Sequence, residues 1–121
     1  MTWVYSQSTG VLSRDNTPVA QGYSGNGNGK NNPAAESVHD TGPTPRGQYT
    51  IGAPVNHPHT GNYSLRLTPA PGTNTFRRSG FLIHGDSAAH PGQASNGCIV
   101  VPLPTRQQIW NSGDHQIQVV R

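Results

Sequence analysis

The residues best suited to chemistry lie in two short segments, HGD at residues 84–86 and SNGC at residues 95–98. Cys98 is the single cysteine of the chain, so an internal disulfide is excluded. A thiol becomes a nucleophile when a base or an electropositive site favours its thiolate, and His84 can supply that base. The pair therefore predicts an acyl-transfer enzyme, with Cys98 as the nucleophile and His84 as the general base.

The residues around the thiol fit this prediction. Gly97 opens backbone conformations that other residues avoid, and it lets the backbone approach a substrate closely. Backbone N–H groups of the SNGC turn can then hold a developing oxyanion, where one such donor contributes about 3 kcal/mol. Ser95 or Asp86 can orient the second ring nitrogen of His84, and the sequence leaves that choice open.

Two other interpretations use the same residues. In the first, Cys98 is a small buried apolar side chain, as free cysteines commonly are, and His84 is a satisfied polar residue. The three turn-forming residues before the thiol weigh against it. In the second, two histidines, Asp86 and Cys98 bind zinc, but their spacing matches no standard zinc pattern. We therefore expect no metal and no other cofactor.

The composition indicates one loop-rich sheet domain. The chain has 121 residues, of which 31% are apolar, with 15 glycines and 11 prolines. Such a composition favours a sheet protein with a thin core over a helical bundle. We expect a single domain over residues 1–121, because its length is typical of one domain and no internal repeat is present.

Apolar residues recur in short runs that predict about seven strands. The runs fall at residues 2–6, 11–12, 48–51, 63–67, 81–83, 99–101 and 116–119. The first two form a predicted hairpin over residues 2–13, and a capping-box pattern that starts at Thr105 predicts one short helix near residues 105–112. The pattern as a whole is typical of a mainly antiparallel β-sandwich or barrel.

The two candidate catalytic residues stand at the ends of predicted strands. His84 ends the continuous apolar run 81–83, and Cys98 immediately precedes the run 99–101. Such continuous runs are typical of strands buried on both faces. We expect the two strands to be antiparallel neighbours, because that pairing would bring His84 and Cys98 together.

The charge pattern excludes some partners. The net charge is +3, which is compatible with weak attraction to an anionic polymer such as a cell wall. Basic residues are scattered and only Arg77 and Arg78 are adjacent, so we expect no nucleic-acid partner. No apolar run approaches the ~20 residues of a membrane span, and no basic-plus-apolar N-terminal segment predicts a Sec-type signal.

Several blocks of the sequence resemble a known family. The pattern HGD…ASNGCI is similar to the signature of L,D-transpeptidases of the YkuD-like fold, and TPRGQYTI at residues 44–51 is similar to one of their strands. A closer resemblance is to the type VI secretion L,D-transpeptidase effectors. It is carried, in order along the chain, by GYSGNGNGKNNP, GPTPRGQYTIG, SGFLIHGD, ASNGCIV and NSGDHQIQVV. The resemblance implies a YkuD-like β-sandwich that acts on peptidoglycan stem peptides.

The resemblance also implies roles for individual residues. Cys98 is the implied nucleophile and His84 the base, with Ser95 and Gly97 shaping the site. Many L,D-transpeptidases carry Arg or Asn two residues after the cysteine, where this chain has Val100. An anchor for a substrate carboxylate is therefore expected elsewhere, with Arg77 and Arg78 among the possible substitutes. The residues that we predict to contact substrate are Asp86, Asn96 and Arg46.

The implied reaction removes D-alanine from a tetrapeptide stem and leaves a thioester on Cys98. Water, a free D-amino acid or a stem amine can then resolve the thioester, which gives carboxypeptidase, exchange or cross-linking activity; the sequence leaves this choice open. The alternative is a non-catalytic wall-binding or interaction module with a degenerate site. An accessible thiol of low pKa would favour the enzyme, and an inert thiol would favour the module.

Without a recognisable signal peptide, a protein made in the cytoplasm needs another export route to reach the cell wall. We expect secretion by a contact-dependent system and action in the periplasm of target bacteria, as the resemblance also implies. The expected protein partners are a component of the secretion apparatus and a cognate immunity protein that blocks the site.

Overall fold

A computed structural model describes residues 2–121; Met1, the first residue of the predicted domain, lies outside the described residues. It contains ten strands and one α-helix. The strands are β1 (Trp3–Ser6), β2 (Val11–Arg14), β3 (Thr17–Gln21), β4 (Tyr23–Ser24), β5 (Gly47–Ile51), β6 (Val55–His57), β7 (Gly61–Pro69), β8 (Leu82–His84), β9 (Ile99–Val100) and β10 (Gln116–Val120). The helix α1 spans Leu103–Asn111, and single 3₁₀ turns occupy Gly27–Gly29 and Pro33–Ala35.

One mixed sheet contains all ten strands. Its order is β3-β2-β1-β10-β5-β7-β8-β9-β4, and β6 pairs with β7 beside this path. The pairs β1–β10 and β8–β9 are parallel, and the other pairs are antiparallel. The prediction of a mainly β fold with one short helix is confirmed. The structure has ten strands where about seven were predicted, and the pairs β1–β10 and β8–β9 are parallel where antiparallel pairing was expected.

Alternation along the strands builds the core. In β10 the side chains of Ile117 and Val119 are buried, whereas Gln116 and Gln118 are exposed. This period of two is what a strand with one covered face requires. The core side chains are Trp3, Tyr5, Leu12, Tyr49, Ile51, Leu65, Leu67, Phe81, Ile83, Ile99, Val101, Ile109, Ile117 and Val119.

The helix packs against β7 and β8 and contributes Ile109 to the core. It begins at Leu103, two residues before the predicted start, and Thr105 lies inside its first turn. Pro104 explains the earlier start, because proline fits the first turn, where its missing N–H has no helical partner. None of the helices within residues 2–121 is long and apolar enough to cross a membrane.

The predicted hairpin over residues 2–13 is confirmed, because β1 and β2 pair as antiparallel neighbours. The Gly- and Asn-rich segment after β3 contains the two-residue strand β4 and both 3₁₀ turns. β4 pairs with β9 at the edge of the sheet, so this segment passes directly beside Cys98.

We predict that Ile117→Ala lowers the free energy of unfolding by about 2–5 kcal/mol, because it leaves a cavity in the centre of the core. Gln118→Ala is the matched control, because Gln118 is exposed on the same strand, and we expect a change within about 0.5 kcal/mol. Urea unfolding followed by tryptophan fluorescence measures both. Equal losses for the two variants would contradict the assignment of Ile117 to the core.

Candidate active site

His84 and Cys98 come from two neighbouring strands whose pairing differs from the prediction. The strands β8 and β9 are parallel, with Ile83 opposite Ile99 and His84 opposite Val100. The expected antiparallel arrangement is therefore wrong, and the long connection between the strands is what permits a parallel crossover. Cys98 lies two residue positions from His84 along the sheet, an offset of about 7 Å.

Both side chains nevertheless lie on the same face of the sheet. Ile83 and Ile99 point into the core, and successive residues of a strand point to opposite faces. His84 follows Ile83, and Cys98 precedes Ile99, so both stand on the face that is turned away from the core. The parallel pairing thus places an imidazole and a thiol on one face of two adjacent strands, offset along them.

The imidazole of His84 has the protonation state of a base. It is buried, with 2% of the residue exposed, and its Nδ1 lies 2.8 Å from the carbonyl oxygen of Gly85. A carbonyl can only accept, so Nδ1 carries the proton and Nε2 keeps its lone pair. Burial lowers the pKa of His84; the bond to Gly85 opposes this, and the charge of Arg106 adds to it. The ring is therefore neutral at neutral pH.

The thiol of Cys98 is protonated at rest. It is partly buried, and its Sγ lies 3.7 Å from the carbonyl oxygen of Gly80, to which it donates. Burial raises its pKa, and the backbone N–H of Leu82 and the charge of Arg78 oppose this rise only in part. Within residues 2–121, no hydrogen bond joins the thiol to His84. A reactive Cys98 therefore needs a base to take its proton.

Ser95 holds the turn that precedes the thiol. Its hydroxyl accepts from the N–H of Gly25 at 2.9 Å and from the N–H of Gly97 at 3.1 Å. It donates to the carbonyl of Cys98 at 2.6 Å. The N–H of Gly97 is thus already engaged, so the oxyanion donors that remain in the turn are the N–H groups of Cys98 and Asn96.

A buried guanidinium, that of Arg78, lies beneath this turn. Only 6% of the residue is exposed, and both terminal nitrogens donate to backbone carbonyls at 2.6–3.4 Å. The carbonyls belong to Glu36, Gly42, Pro43 and Asn96. None of these acceptors is a carboxylate, so the positive charge is solvated by backbone dipoles and stays available to act on the thiol.

Gly97 is required by the closeness of Arg78. Its φ is +141°, and a Cβ at this position would clash with Nη2 of Arg78. Because that nitrogen is fixed by the carbonyls of Gly42 and Asn96, it cannot move aside without losing hydrogen bonds. The glycine of the SNGC segment is therefore needed both for the backbone conformation of the turn and for the space that the guanidinium occupies.

A second buried guanidinium, that of Arg106 on α1, lies beside His84. Its nitrogens donate to the carbonyls of Tyr63 at 3.0 Å and Val101 at 2.7 Å. A Cβ on Gly85 would come within 2.7 Å of its Nη1. Arg106 thus packs against the residue whose carbonyl orients His84.

Asp86 fixes the loop that follows His84. Its carboxylate accepts from the hydroxyl of Tyr23 at 2.6 Å and from the N–H groups of Ser87 and Gly92 at 2.9–3.1 Å. Burial and the bond to Asp86 raise the pKa of Tyr23 to about 12, so its phenol remains the donor.

Neither Asp86 nor Ser95 forms a hydrogen bond to His84. The sequence left the choice between these two residues open, and in the structure the carbonyl of Gly85 orients the imidazole instead.

Two cavities flank the pair. One, of about 290 Å³, contains the thiol and is called the Cys98 cavity; Arg77, Phe81 and Asn96 are among its lining residues. The other, of about 370 Å³, is lined by His84 and is called the His84 cavity; His59, Asp86 and Gln93 are among its lining residues. The thiol and the imidazole thus line two separate cavities.

Of the three residues predicted to contact substrate, two line the cavities and one does not. Asn96 lines the Cys98 cavity, and Asp86 lines the His84 cavity. Arg46 lines neither, because its Nη2 is paired with the carboxylate of Glu36 at 2.7 Å. In the described part of the chain, no three side chains of His, Cys, Asp or Glu come together in a group that could hold a metal ion, so the zinc alternative has no ligand set there.

Sequence reasoning missed the role of both buried arginines. Their partners are backbone carbonyls, which any residue provides, so no side-chain pattern indicates them. The only local signal is the pair of glycines that they approach, Gly85 and Gly97.

The fold is that of the YkuD-type L,D-transpeptidases, as three solved structures of similar fold indicate. Bd1075 of Bdellovibrio bacteriovorus matches with a TM-score of 0.62 at 15% identity, over 98% of this chain and 46% of its own. L,D-transpeptidase 1 of Mycobacterium tuberculosis matches with a TM-score of 0.53 at 19% sequence identity, over 99% of this chain and 60% of its own. An L,D-transpeptidase of Mycobacterium smegmatis matches with a TM-score of 0.54 at 20% sequence identity, over 99% of this chain and 58% of its own. The chain thus spans about half of the length of these proteins.

The family follows from a match between residues 18–120 and the model of the Tlde1 domain. This chain therefore belongs to the Tlde1 domain family. The predicted resemblance to the type VI secretion L,D-transpeptidase effectors is confirmed at the level of the family. No curated protein matches the sequence.

We predict that Gly97→Ala destabilises the protein by about 2 kcal/mol more than Gly72→Ala, because it also displaces a charged hydrogen-bond donor, Arg78. Gly72 is the matched control: its φ is also positive, at +89°, but nothing lies within 4 Å of a Cβ placed there. Urea unfolding measures both variants. Equal destabilisation would show that backbone strain alone explains the glycine at position 97.

Proposed function

We propose that this chain is a cysteine L,D-transpeptidase or L,D-carboxypeptidase that acts on peptidoglycan stem peptides. The observation that carries the proposal is the pairing of a neutral imidazole and a protonated thiol on one face of β8 and β9, between two cavities. Membership of the Tlde1 domain family and the fold of L,D-transpeptidases support the choice of substrate.

Acylation begins with proton transfer from the thiol of Cys98 to Nε2 of His84. Sγ bonds to the carbonyl carbon that joins the third stem residue to D-alanine, and the carbonyl oxygen becomes an oxyanion. The N–H groups of Cys98 and Asn96 stabilise that charge. The C–N bond then breaks, the imidazolium returns its proton to the leaving nitrogen, and the stem remains as a thioester on Sγ.

Deacylation runs through the same base. A water molecule or an amine enters from the side of the His84 cavity and loses a proton to Nε2 as its oxygen or nitrogen bonds to the thioester carbon. The C–S bond breaks, and the thiolate regains the proton from the imidazolium. Water gives carboxypeptidase activity, a D-amino acid gives exchange, and a stem amine gives a cross-link.

A rotation of the cysteine side chain precedes the proton transfer. At rest the thiol faces the carbonyl of Gly80, whereas the base lies in the other direction along the sheet. Catalytic hydrogen bonds of free enzymes are often long and tighten only when substrate binds. We therefore include in the proposal a turn of Sγ from Gly80 toward Nε2 of His84 upon binding.

The proposal extends to biology. An effector of this family would be delivered by a contact-dependent secretion apparatus into the periplasm of rival bacteria, where stem peptides are accessible. A cognate immunity protein would protect the producer, and the two cavities beside His84 and Cys98 offer it a recessed surface to occupy.

One observation favours the alternative of a non-catalytic binding module. The pKa of the Cys98 thiol is raised, whereas many reactive cysteines have a lowered pKa. The neutral base beside it answers this objection, because a protonated thiol with a general base needs no lowered pKa. Activity measurements on variants of the pair separate the two functions.

We predict that Cys98→Ala and His84→Gln each abolish the release of D-alanine from tetrapeptide stems, because one lacks the nucleophile and the other lacks the base. Mass spectrometry of peptidoglycan fragments after incubation identifies the bond and the acceptor together. His90→Gln is the matched control, because His90 is exposed and lines neither cavity, and we expect wild-type activity. Release of D-alanine by Cys98→Ala at the wild-type rate would contradict the proposal.

We predict that kcat/KM falls on the acid side with a midpoint below pH 6.5. The pKa of His84 is lowered from 6.5, so its neutral, basic form persists into mild acid and is lost only below that value. A pH series with a tetrapeptide donor measures the midpoint, and circular dichroism at each pH controls for unfolding. A midpoint above pH 6.5 in folded protein is the contrary result.

A further inference from the structure

Two adjacent arginines of the Cys98 cavity differ in what their side chains contact. The guanidinium of Arg78 is buried and occupied by backbone carbonyls. Arg77 is exposed and lines the same cavity. Within residues 2–121, no hydrogen bond or ion pair involves the side chain of Arg77. It is therefore a cation without a protein partner in the cavity that contains the nucleophile.

The turn that presents Arg77 is held in an unusual conformation. Phe76 and Arg77 both have positive φ, at 56° and 61°, which side chains other than glycine rarely adopt. The side chain of Asn74 accepts from the N–H of Phe76 at 2.9 Å, and the N–H of Arg78 donates to Thr75 at 2.9 Å. Such conformations persist where the surroundings over-determine them and cluster at sites that bind ligands. The buried guanidinium of Arg78 is the anchor here.

The charges around the cavity favour an anion close to Arg77. The ionisable residues that line it are Arg77, Arg78, His39, Asp40 and Cys98. Two of them are cations at neutral pH and one, Asp40, is an anion; the thiol is protonated. The third arginine considered for substrate binding, Arg46, is neutralised by Glu36 outside this cavity. Arg77 thus remains the guanidinium with free donors.

The proposed donor brings an anion to this place. The residue removed from a tetrapeptide stem is C-terminal, and its carboxylate lies two bonds beyond the nitrogen of the scissile amide. When Sγ of Cys98 contacts the scissile carbon, that carboxylate lies within about 6 Å of the sulfur. A guanidinium can hold a carboxylate with two parallel hydrogen bonds, which fixes its orientation as well as its charge.

We infer that Arg77 binds the terminal carboxylate of the donor stem, so that the enzyme prefers stems that end in a free carboxylate. This inference rests on the proposed function. Arg77 replaces, from the turn before β8, the cationic or amide side chain that many L,D-transpeptidases carry two residues after the cysteine. In this role it touches substrate and determines specificity without taking part in proton transfer.

The experiment compares two donors that differ only at the C-terminus, a tetrapeptide stem acid and its C-terminal amide. We expect the wild type to prefer the acid by about tenfold in kcat/KM, because the amide lacks the charge that strengthens the hydrogen bonds. Arg77→Ala should raise KM for the acid by about tenfold, leave kcat within about twofold and leave KM for the amide unchanged. Arg77→Lys should recover part of the affinity for the acid, because lysine restores the positive charge but cannot form the two parallel hydrogen bonds of a guanidinium.

Arg66→Ala is the matched control, because Arg66 is an exposed arginine of β7 that lines neither cavity, and we expect wild-type constants. If Arg77→Ala matches the wild type on the acid, or raises KM equally for both donors, the inference is wrong and the proposed function stands. If the wild type cleaves neither donor, the proposed function fails and the inference fails with it.

Discussion

The geometry of the site depends on one buried cation that is solvated by the backbone. A guanidinium removed from water costs several kcal/mol unless it is fully hydrogen bonded, so the carbonyls around Arg78 must stay where they are. Those carbonyls belong to residues 36–43 and to Asn96, two segments that have little apolar surface of their own. Arg78 thereby connects the Gly- and Asn-rich loop to the turn that presents the thiol.

The same guanidinium and that of Arg106 also contribute to the electrostatics of the pair. Arg78 lies near the thiol and favours its thiolate, whereas Arg106 lies near His84 and disfavours its imidazolium. Burial acts against both charged forms, and it is the largest influence on each pKa. The resting pair is consequently neutral, and a thiolate paired with an imidazolium forms only when the proton moves between the two groups.

The sequence indicates which residues to consider for the candidate site, but it does not indicate how they are arranged. Cys98 stands out as the single thiol of the chain, and His84 stands out among six histidines because it ends an apolar run that predicts a strand. The parallel pairing of β8 and β9 could not be predicted, because a buried run looks the same in either direction. Arg46 was a reasonable choice by charge, but its partner Glu36 was not predictable. The positions of Arg78 and Arg106 could not be predicted, because they bind backbone carbonyls that are distant in sequence. The only local sign of them is the glycine that each one approaches.

The parallel register also explains why the residue after Ile99 can be apolar. Val100 stands opposite His84 and is buried, with 3% of the residue exposed. A cation at this position would lie in a dry environment beside the imidazole, close to the charge of Arg106, and would cost the desolvation of a second charge. The turn at residues 74–78 offers a position on the other side of the thiol, where the cavity is open to water. A free guanidinium is less costly there, and its charge acts on the Cys98 cavity without disturbing the neutral base.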